Sequence, residues 1–259
     1  QEKALMDIRK QNADELGVLF AKRLEAGDAS ILEVNKIKME RMNVQTEVAQ
    51  NNAAHRAALQ SLLAMNGNMP LEFTDAQYPQ VKEINDFNAL RDQVVASDYN
   101  LQALAFATKA AEKQVSVNKQ NWLPKLSAGF KRSTDSDASM NGFVVGGSIP
   151  IFSNRKKVQI AKAQAISAQL MQEDAKLQVE NTLMSLFNEM QQLKEAMNTY
   201  DVPLMYQTLD LLKQALTEGE ISLVEYFVEA ETVYKNLQAY MQLENQYQKV
   251  MADIYKNEL

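Results

Sequence analysis

The sequence predicts a mainly α fold, in which long antiparallel coiled-coil helices carry one β-hairpin, and three observations support this prediction. The 259 residues are 46% apolar but include only 8 glycines and 5 prolines, so few residues interrupt helices. Most of these helix breakers fall in a few short clusters, which leaves long stretches uninterrupted. Between Trp122 and Phe152 the apolar period changes from about 3.6 residues to about 2, which is typical of strands.

Seven helices are predicted between the clusters of glycine and proline. Asp86 is placed to cap the short third helix, and Ser97 or Asp98 the fourth. Pro203 fits the first turn of the sixth, where its missing N–H group costs nothing. If residues 154–218 were roughly continuous, they would extend about 100 Å at about 1.5 Å per residue, so helices of more than about 40 residues are expected. The predicted helices cover residues 1–26, 29–66, 86–95, 98–121, 154–200, 203–218 and 221–257.

The last predicted helix carries a seven-residue apolar period. Its positions follow one another in alternating steps of four and three, and Glu244 is the charged residue among them. This period indicates a left-handed coiled coil, with an ordinary helical bundle as the alternative. The positions are Tyr226, Ala230, Val233, Leu237, Tyr240, Glu244, Tyr247, Met251 and Ile254.

An internal repeat contains two helix–turn–helix segments. Residues 24–33 align without gaps with residues 216–225, which lie 192 positions later. In each copy a helix ends at a glycine, Gly27 or Gly219, and glycine most easily adopts the left-handed conformation that closes a helix. Each copy therefore predicts two antiparallel helices joined by a tight turn, and we expect the two turns to lie at the same end.

A polar residue after each glycine can cap the helix that follows, because its side-chain oxygen accepts a hydrogen bond from a free amide of the first turn. Six positions after each glycine an acid follows, Glu33 or Glu225, near the start of a helix where negative charge is favourable. The candidate caps are Asp28 and Ser30 in the first copy and Glu220 and Ser222 in the second.

Residues 122–152 are predicted to form a membrane β-hairpin. Each strand has about 9–11 residues, the length that a tilted strand needs to cross a bilayer. One face is apolar and the other small or polar, as expected for lipid on one side and water on the other. A soluble hairpin packed on the helices is the alternative. The side chains predicted to face the membrane are Phe130, Phe143, Val145, Ile149 and Ile151, and those predicted to face away include Ser127, Lys131 and Ser148.

Two strands cannot span a membrane alone, because each open edge would leave backbone groups unpaired in hydrocarbon. Further strands must close the barrel, which predicts an oligomer. A longer natural chain is also expected, because residues 1–20 read as the middle of a helix with no cap before them. The repeat would likewise place a counterpart of residues 84–192 before residue 1.

Composition argues against several other functions. The net charge of −6, without a basic block interleaved with aromatic residues, argues against a nucleic-acid partner. Cysteine is absent, which excludes disulfides and thiolate metal sites. The sequence contains no run of about 18 apolar residues, so no transmembrane helix is predicted. No nucleophile or phosphate loop accompanies His55, Glu33 or Glu40, so no enzyme, cofactor or metal site is predicted. The 13 methionines are interpreted as core filler, with a metal relay as the alternative.

Together these features resemble the TolC-like outer-membrane efflux protein family across essentially the whole chain. The resemblance is carried by the two turn motifs, by residues 122–129 entering the first strand, and by residues 145–152 leaving the second. Residues 27–35 are similar to the heavy-metal and multidrug branch that serves resistance-nodulation-division pumps. The family implies a homotrimer whose helices form a periplasmic α-barrel, with four strands from each protomer in one outer-membrane β-barrel. Its tip meets a periplasmic adaptor protein and, through it, an inner-membrane pump.

The resemblance implies roles for residues at the tip only. Glu225 matches an acid that lines the constricted entrance in some members, although those members have Asp. Val228 stands where some members have a second acid, so a double acidic gate is not supported. The turn residues match the helix ends that adaptor hairpins grip. These predicted adaptor-binding residues are Gly27, Asp28, Ser30, Gly219, Glu220 and Ser222.

The predicted function is therefore the outer-membrane channel of a tripartite efflux or secretion system, a passive conduit with most of the chain in the periplasm. The alternative is a soluble coiled-coil scaffold or adaptor protein with a docking hairpin. In order, the predicted parts are a helical hairpin of the first repeat, a loop with a short equatorial helix, a helix rising to the barrel, the transmembrane hairpin, and the helices of the second repeat. Their ranges are 1–66, 67–97, 98–121, 122–152 and 153–259.

Overall fold

Helices dominate the structure, a computed structural model that describes residues 1–70, 77–78, 84, 86–120, 125–135, 138–148 and 154–257. These residues form seven helices and two strands in the predicted order, which confirms the predicted fold class. The helices are α1 (Glu2–Ala26), α2 (Ile31–Met65), α3 (Phe87–Ser97), α4 (Tyr99–Gln120), α5 (Asn154–Met197), α6 (Val202–Glu218) and α7 (Leu223–Tyr255). The strands are β1 (Lys125–Asp135) and β2 (Ala138–Ser148).

Among the described helices, only α5 exceeds the 40 residues expected of the longest helices. With 44 residues α5 has the expected length, but α2 has 35 and α7 has 33. The predicted division of residues 154–218 into two helices is confirmed, since α5 ends at Met197 and α6 begins at Val202. The break follows from local chemistry, because Asp201 caps α6 by accepting a hydrogen bond from the Leu204 amide at 3.0 Å. Pro203 then lies in the first turn of α6, as predicted.

The chain divides into two compact units, and the first contains Gln1–Lys82 and Met190–Met251. Within it α1, α2, α6 and most of α7 pack around one apolar core. Leu5 and Leu237 are fully buried there, and side chains of all four helices contribute. The buried members are Leu5, Leu16, Phe20, Val34, Ile37, Met205, Leu209, Leu216, Leu223, Tyr226, Ala230, Val233, Tyr234 and Leu237.

The seven-residue period of α7 coincides with its buried face. Of the nine predicted seam positions, six are buried and the remaining three, Tyr240, Glu244 and Tyr247, are half-buried. Glu244 tolerates this position because it keeps part of its side chain in water. The coiled-coil period therefore identified the face of α7 that packs against other helices.

The second unit contains Glu83–Glu189 and Ala252–Leu259, with α3, α4, the hairpin and most of α5. The rings of Phe87 and Phe187 pack with their centroids 5.3 Å apart. The Thr108 hydroxyl donates to the Ala168 carbonyl oxygen at 3.2 Å, which joins α4 to α5. Of the two candidate caps of α4, Asp98 is the one that accepts a hydrogen bond, from the Leu101 amide at 2.8 Å.

The two strands form an antiparallel hairpin that pairs Lys125 with Ser148 at one end and Asp135 with Ala138 at the other. Both strands have 11 residues, within the predicted length. Within the ranges described, no helix combines the length and apolar character needed to cross a bilayer.

Candidate functional site: the paired turns, a buried arginine and the hairpin

The first predicted turn closes α1 with the two hydrogen bonds of a Schellman motif. Gly27 has φ 83° and ψ 7°, in the left-handed region. Its N–H donates to the Leu24 carbonyl oxygen at 3.1 Å, and the N–H of Asp28 donates to the Arg23 carbonyl oxygen at 2.8 Å. These bonds satisfy carbonyl groups that the end of a helix otherwise leaves without partners.

The second turn repeats this geometry at the end of α6. Gly219 has φ 84° and ψ 12°. Its N–H donates to the Leu216 carbonyl oxygen at 3.3 Å, and the N–H of Glu220 donates to the Ala215 carbonyl oxygen at 2.8 Å. A Cβ atom raises the energy of this backbone conformation, so both turns favour glycine. The internal repeat thus marks two structurally equivalent turns.

A reciprocal capping box begins the helix after each turn. The Glu33 amide donates to the Ser30 hydroxyl at 3.2 Å, and the Ser30 amide donates to the Glu33 carboxylate at 2.7 Å. The Glu225 amide likewise donates to the Ser222 hydroxyl at 3.2 Å, and the Ser222 amide donates back at 2.8 Å. In both copies the serine, and not the acid before it, is therefore the cap.

The two turns lie at the same end of the first unit, as expected from the repeat. Arg23 donates from Nη2 to the Thr217 carbonyl oxygen at 2.6 Å, which links the last turns of α1 and α6. Nearby, Phe20 and Leu216 belong to the same buried core. The six residues predicted to bind an adaptor are all exposed around this link. The turns are thus firmly held by their backbone yet open to a partner.

The capping boxes also fix the charge of two carboxylates. Backbone and hydroxyl hydrogen bonds from Ser30 lower the pKa of Glu33 below its ordinary value of 4.5, and those from Ser222 do the same for the pKa of Glu225. Because the folded pKa is the lower one, this stabilisation is present above the ordinary value and is lost as the pH falls through the lowered pKa. At neutral pH Glu225 therefore places a negative charge at the exposed start of α7, whereas Val228, 59% exposed, adds none.

A buried arginine joins three helices of the same unit. The Arg9 side chain is 9% exposed and donates from Nη2 to Glu40 and Glu231 and from Nη1 to Glu47, each at 2.9 Å. Its guanidinium carbon lies 5.2 Å from the centre of the Tyr234 ring. Burial alone lowers the pKa of Arg9, but the three glutamates together raise it, so the side chain stays charged. A groove of about 790 Å³ opens beside this cluster, between α1, α2 and α7.

Arg9 was not predicted from the sequence, although two signals in it indicate a buried ion pair. Arg9 interrupts the apolar positions of α1 that are buried on both sides of it, Leu5 and Leu16 among them. Glu40 and Glu47 lie seven positions apart on α2 and so share one face of that helix. A charge in an apolar stripe opposite a pair of acids indicates a buried ion pair.

Further polar contacts hold α1 against the helical hairpin formed by α6 and α7. Asn12 donates to the Tyr234 hydroxyl at 3.0 Å. Lys213 on α6 donates to the Asn12 side-chain oxygen at 3.2 Å and forms an ion pair with Glu15. With Arg9 and Arg23, these contacts add polar links from α1 to the apolar core that all four helices share.

The register of the hairpin separates its two faces. Phe130 pairs with Phe143 and Ala128 with Val145, so these four side chains share one face. The two phenyl rings meet edge to face, with centroids 5.5 Å apart at 69°. Phe143 is 87% exposed, so this apolar face lies open. The opposite face carries Ser127, Lys131 and Ser148. Ile149 and Ile151, also predicted to face the membrane, lie outside the described residues.

The residues considered in the sequence for a metal or enzyme site are not brought together within the described residues. The described residues contain no group of three or more His, Cys, Asp or Glu side chains that could hold a metal ion. His55 is exposed on α2. Glu33 and Glu40, considered together in the sequence, have separate structural roles in the capping box and in the arginine cluster.

Comparison with known proteins adds a family and a set of related folds. Residues 90–256 match the family model described as outer membrane efflux protein. The chain is 25% identical over 139 residues to the cobalt-zinc-cadmium resistance protein CzcC of Cupriavidus metallidurans, a match that covers 51% of this chain and 32% of that protein.

Two solved structures show a similar fold. A membrane protein from Pseudomonas aeruginosa has a TM-score of 0.69 and 17% identity, covering 98% of this chain and 63% of that one. The open state of the Neisseria gonorrhoeae MtrE outer membrane channel has a TM-score of 0.67 and 14% identity, with the same coverage of both chains. This chain therefore spans less than two thirds of the length of each of these proteins, and of CzcC about a third.

Proposed function

Because this chain belongs to the outer membrane efflux protein family, we propose that it is the channel component of a tripartite efflux or secretion system in the bacterial outer membrane. The observation that carries the proposal is the family match over residues 90–256, which include the hairpin and the second turn. The family match favours a channel over a soluble scaffold. The channel acts as a passive conduit, so it requires no catalytic group. The similarity to CzcC supports the heavy-metal branch of the family.

The hairpin contributes two strands to an outer-membrane β-barrel in this proposal. Among the described residues β1 and β2 pair only with each other, so both outer edges need partners if the hairpin lies in hydrocarbon. Strands from neighbouring copies and from further parts of the protein supply these partners in a homotrimer. The open apolar face with Phe143 and Val145, 87% and 79% exposed, then contacts lipid. The helices of the first unit lie in the periplasm.

The paired turns form the contact with a periplasmic adaptor protein and, through it, with an inner-membrane pump. Three features support this assignment: the turns are exposed, they are linked by Arg23, and backbone hydrogen bonds hold each in one conformation. A prearranged surface loses little conformational freedom on binding. Glu225 stands at the start of α7 beside this surface, where its charge modulates the entrance of the channel.

Replacing Gly219 with valine tests the assignment of the turns. The left-handed backbone at Gly219 has open space around it, so the substitution acts through backbone strain and not through a clash. In the full-length protein, Gly219→Val should leave membrane insertion and trimer formation intact but abolish adaptor binding and export. Efflux of a known substrate, in cells lacking the native channel, and adaptor pull-down measure the two effects.

Gly219→Asn is the matched control, because asparagine tolerates the left-handed conformation better than other side chains do. We expect this variant to retain adaptor binding and most of the export. Normal adaptor binding and normal efflux by Gly219→Val would contradict the assignment of this end as the docking end. Loss of both functions in both variants would point instead to a need for glycine itself at the contact.

A further inference from the structure

The apolar face of the hairpin ends in a cation. Along β1 this face carries Leu126, Ala128 and Phe130, and the next side chain on it is Arg132, which pairs with Asn141 of β2. Successive side chains on one face of a strand lie about 6.7 Å apart. The order along the face is therefore apolar residues, then an aromatic pair, then a guanidinium beside an amide.

The aromatic pair marks a boundary between apolar and polar surroundings. Phe130 is 62% and Phe143 is 87% exposed, and no polar side chain separates the two rings. In membrane barrels aromatic residues concentrate where the hydrocarbon meets the headgroups. If the face up to the aromatic pair contacts hydrocarbon, then Arg132, one pleat further, lies at the level of the headgroups.

Arg132 is also the one charged residue on this face, within the described part of the hairpin. Lys131, the neighbouring cation, projects from the opposite face. Among the described side chains of its own face, no acid neutralises Arg132. The exposed guanidinium consequently offers two parallel N–H donors to an anion, in the geometry that phosphate accepts.

We propose that Arg132 binds the phosphate groups of anionic lipid headgroups in the outer leaflet of the membrane, with the Asn141 amide as a second donor. The inference rests on the proposed function, because it requires the hairpin to lie in the outer membrane. It adds a partner, a phosphorylated lipid, and a residue that recognises it. The choice of lipid over free phosphate follows from the position of Arg132 directly beyond the apolar band.

Two neighbouring basic residues provide a matched test. Full-length protein is inserted into vesicles of phosphatidylcholine and titrated with lipid A, a phosphorylated glycolipid, and the lipid retained by the extracted protein is counted by native mass spectrometry. Arg132→Gln should weaken lipid A binding roughly fivefold, the effect of one basic residue near an anionic surface. Lys131→Gln removes the same charge from the opposite face and should leave binding unchanged. Arg132→Lys, which keeps the charge, should retain most of the affinity.

Insertion is measured first on the same samples, by protection of the protein from added protease. Failure of the wild-type protein to insert would contradict the proposed function and this inference with it. Normal insertion with equal lipid A binding by wild type and Arg132→Gln would overturn the inference alone. A loss in Lys131→Gln instead would place the lipid on the other face. Displacement of lipid A by inorganic phosphate at comparable concentration would show an anion site without lipid selectivity, and would likewise overturn it.

Discussion

Arg9 concentrates the attraction between three helices in one side chain. Its guanidinium bonds to carboxylates on α2 and α7, and the side chain is 9% exposed. We expect Arg9→Met to lower the free energy of unfolding by about 1–3 kcal/mol, because three carboxylates lose their cation while part of each still contacts water. Denaturant unfolding followed by far-ultraviolet circular dichroism measures this change.

Arg41 provides the comparison for Arg9. It pairs with Asp14 at 2.8 Å, but both side chains are about half exposed, at 50% and 46%. Arg41→Met should therefore cost less than about 1 kcal/mol, as exposed ion pairs do. Equal losses for the two variants would show that the burial of the Arg9 cluster contributes nothing to stability.

Residues whose partners are near in sequence were predictable, and those with distant partners were not. Gly27 and Gly219 were identified because a helix end involves only neighbouring residues. The choice of Ser30 over Asp28 could also have been made, since Ser followed three positions later by Glu is the pattern of a capping box. Arg9 was missed because its carboxylate partners lie 31, 38 and 222 residues away and meet it only after the helices pack.

Among the elements, the hairpin allows a direct test of which face contacts lipid, because two adjacent valines lie on its opposite faces. Val145 shares the face of Phe143 and is 79% exposed, whereas Val144 lies on the other face and is 52% exposed. In the full-length protein Val145→Arg should destabilise the inserted state, by less than the about 2–4 kcal/mol that arginine costs at the middle of the bilayer, because Val145 lies only one pleat from Phe143. Val144→Arg should cost much less, because that face is predicted to contact water. Outer-membrane assembly of the trimer measures both, and equal assembly of the two variants would contradict a lipid-facing Val145.

Element type was predictable because period and end signals agree along the chain. The second helix, predicted at 29–66, is observed as Ile31–Met65. The change of period after Trp122 correctly predicted two strands. Gly17 had no explanation in the sequence. In the structure a Cβ at Gly17 would lie 3.2 Å from Cδ of Arg41, so the glycine leaves room for the Arg41 side chain of α2 beside α1. Such a close approach depends on packing between helices, which periodicity within one helix does not reveal.

At the scale of the whole molecule, exposed apolar side chains in the described residues are consistent with the proposed oligomer. In the second unit Leu170 and Leu177 of α5 are each 58% exposed, and Tyr99 and Phe106 of α4 are 71% and 70% exposed. Each pair is seven residues apart, the spacing of a coiled-coil seam. The sequence predicted an oligomer from the unpaired edges of the strands. These exposed stripes are a second and independent reason to expect an oligomer. Periodicity alone does not say whether an apolar stripe is buried within its own chain or against another chain.

Leu177 and its neighbour Lys176 allow the proposed homotrimer to be tested through this stripe. Burying a leucine side chain between protomers contributes about 1.5–3 kcal/mol, and a closed trimer contains the contact three times. Leu177→Ser in the full-length protein should therefore shift the population from trimer to monomer at equal helix content, as measured by light scattering after size-exclusion chromatography. Lys176 is 56% exposed and lies 3.8 Å from Glu180, so Lys176→Ser should cost less than about 1 kcal/mol and leave the trimer intact. An unchanged trimer in Leu177→Ser would contradict a contact between protomers at this stripe.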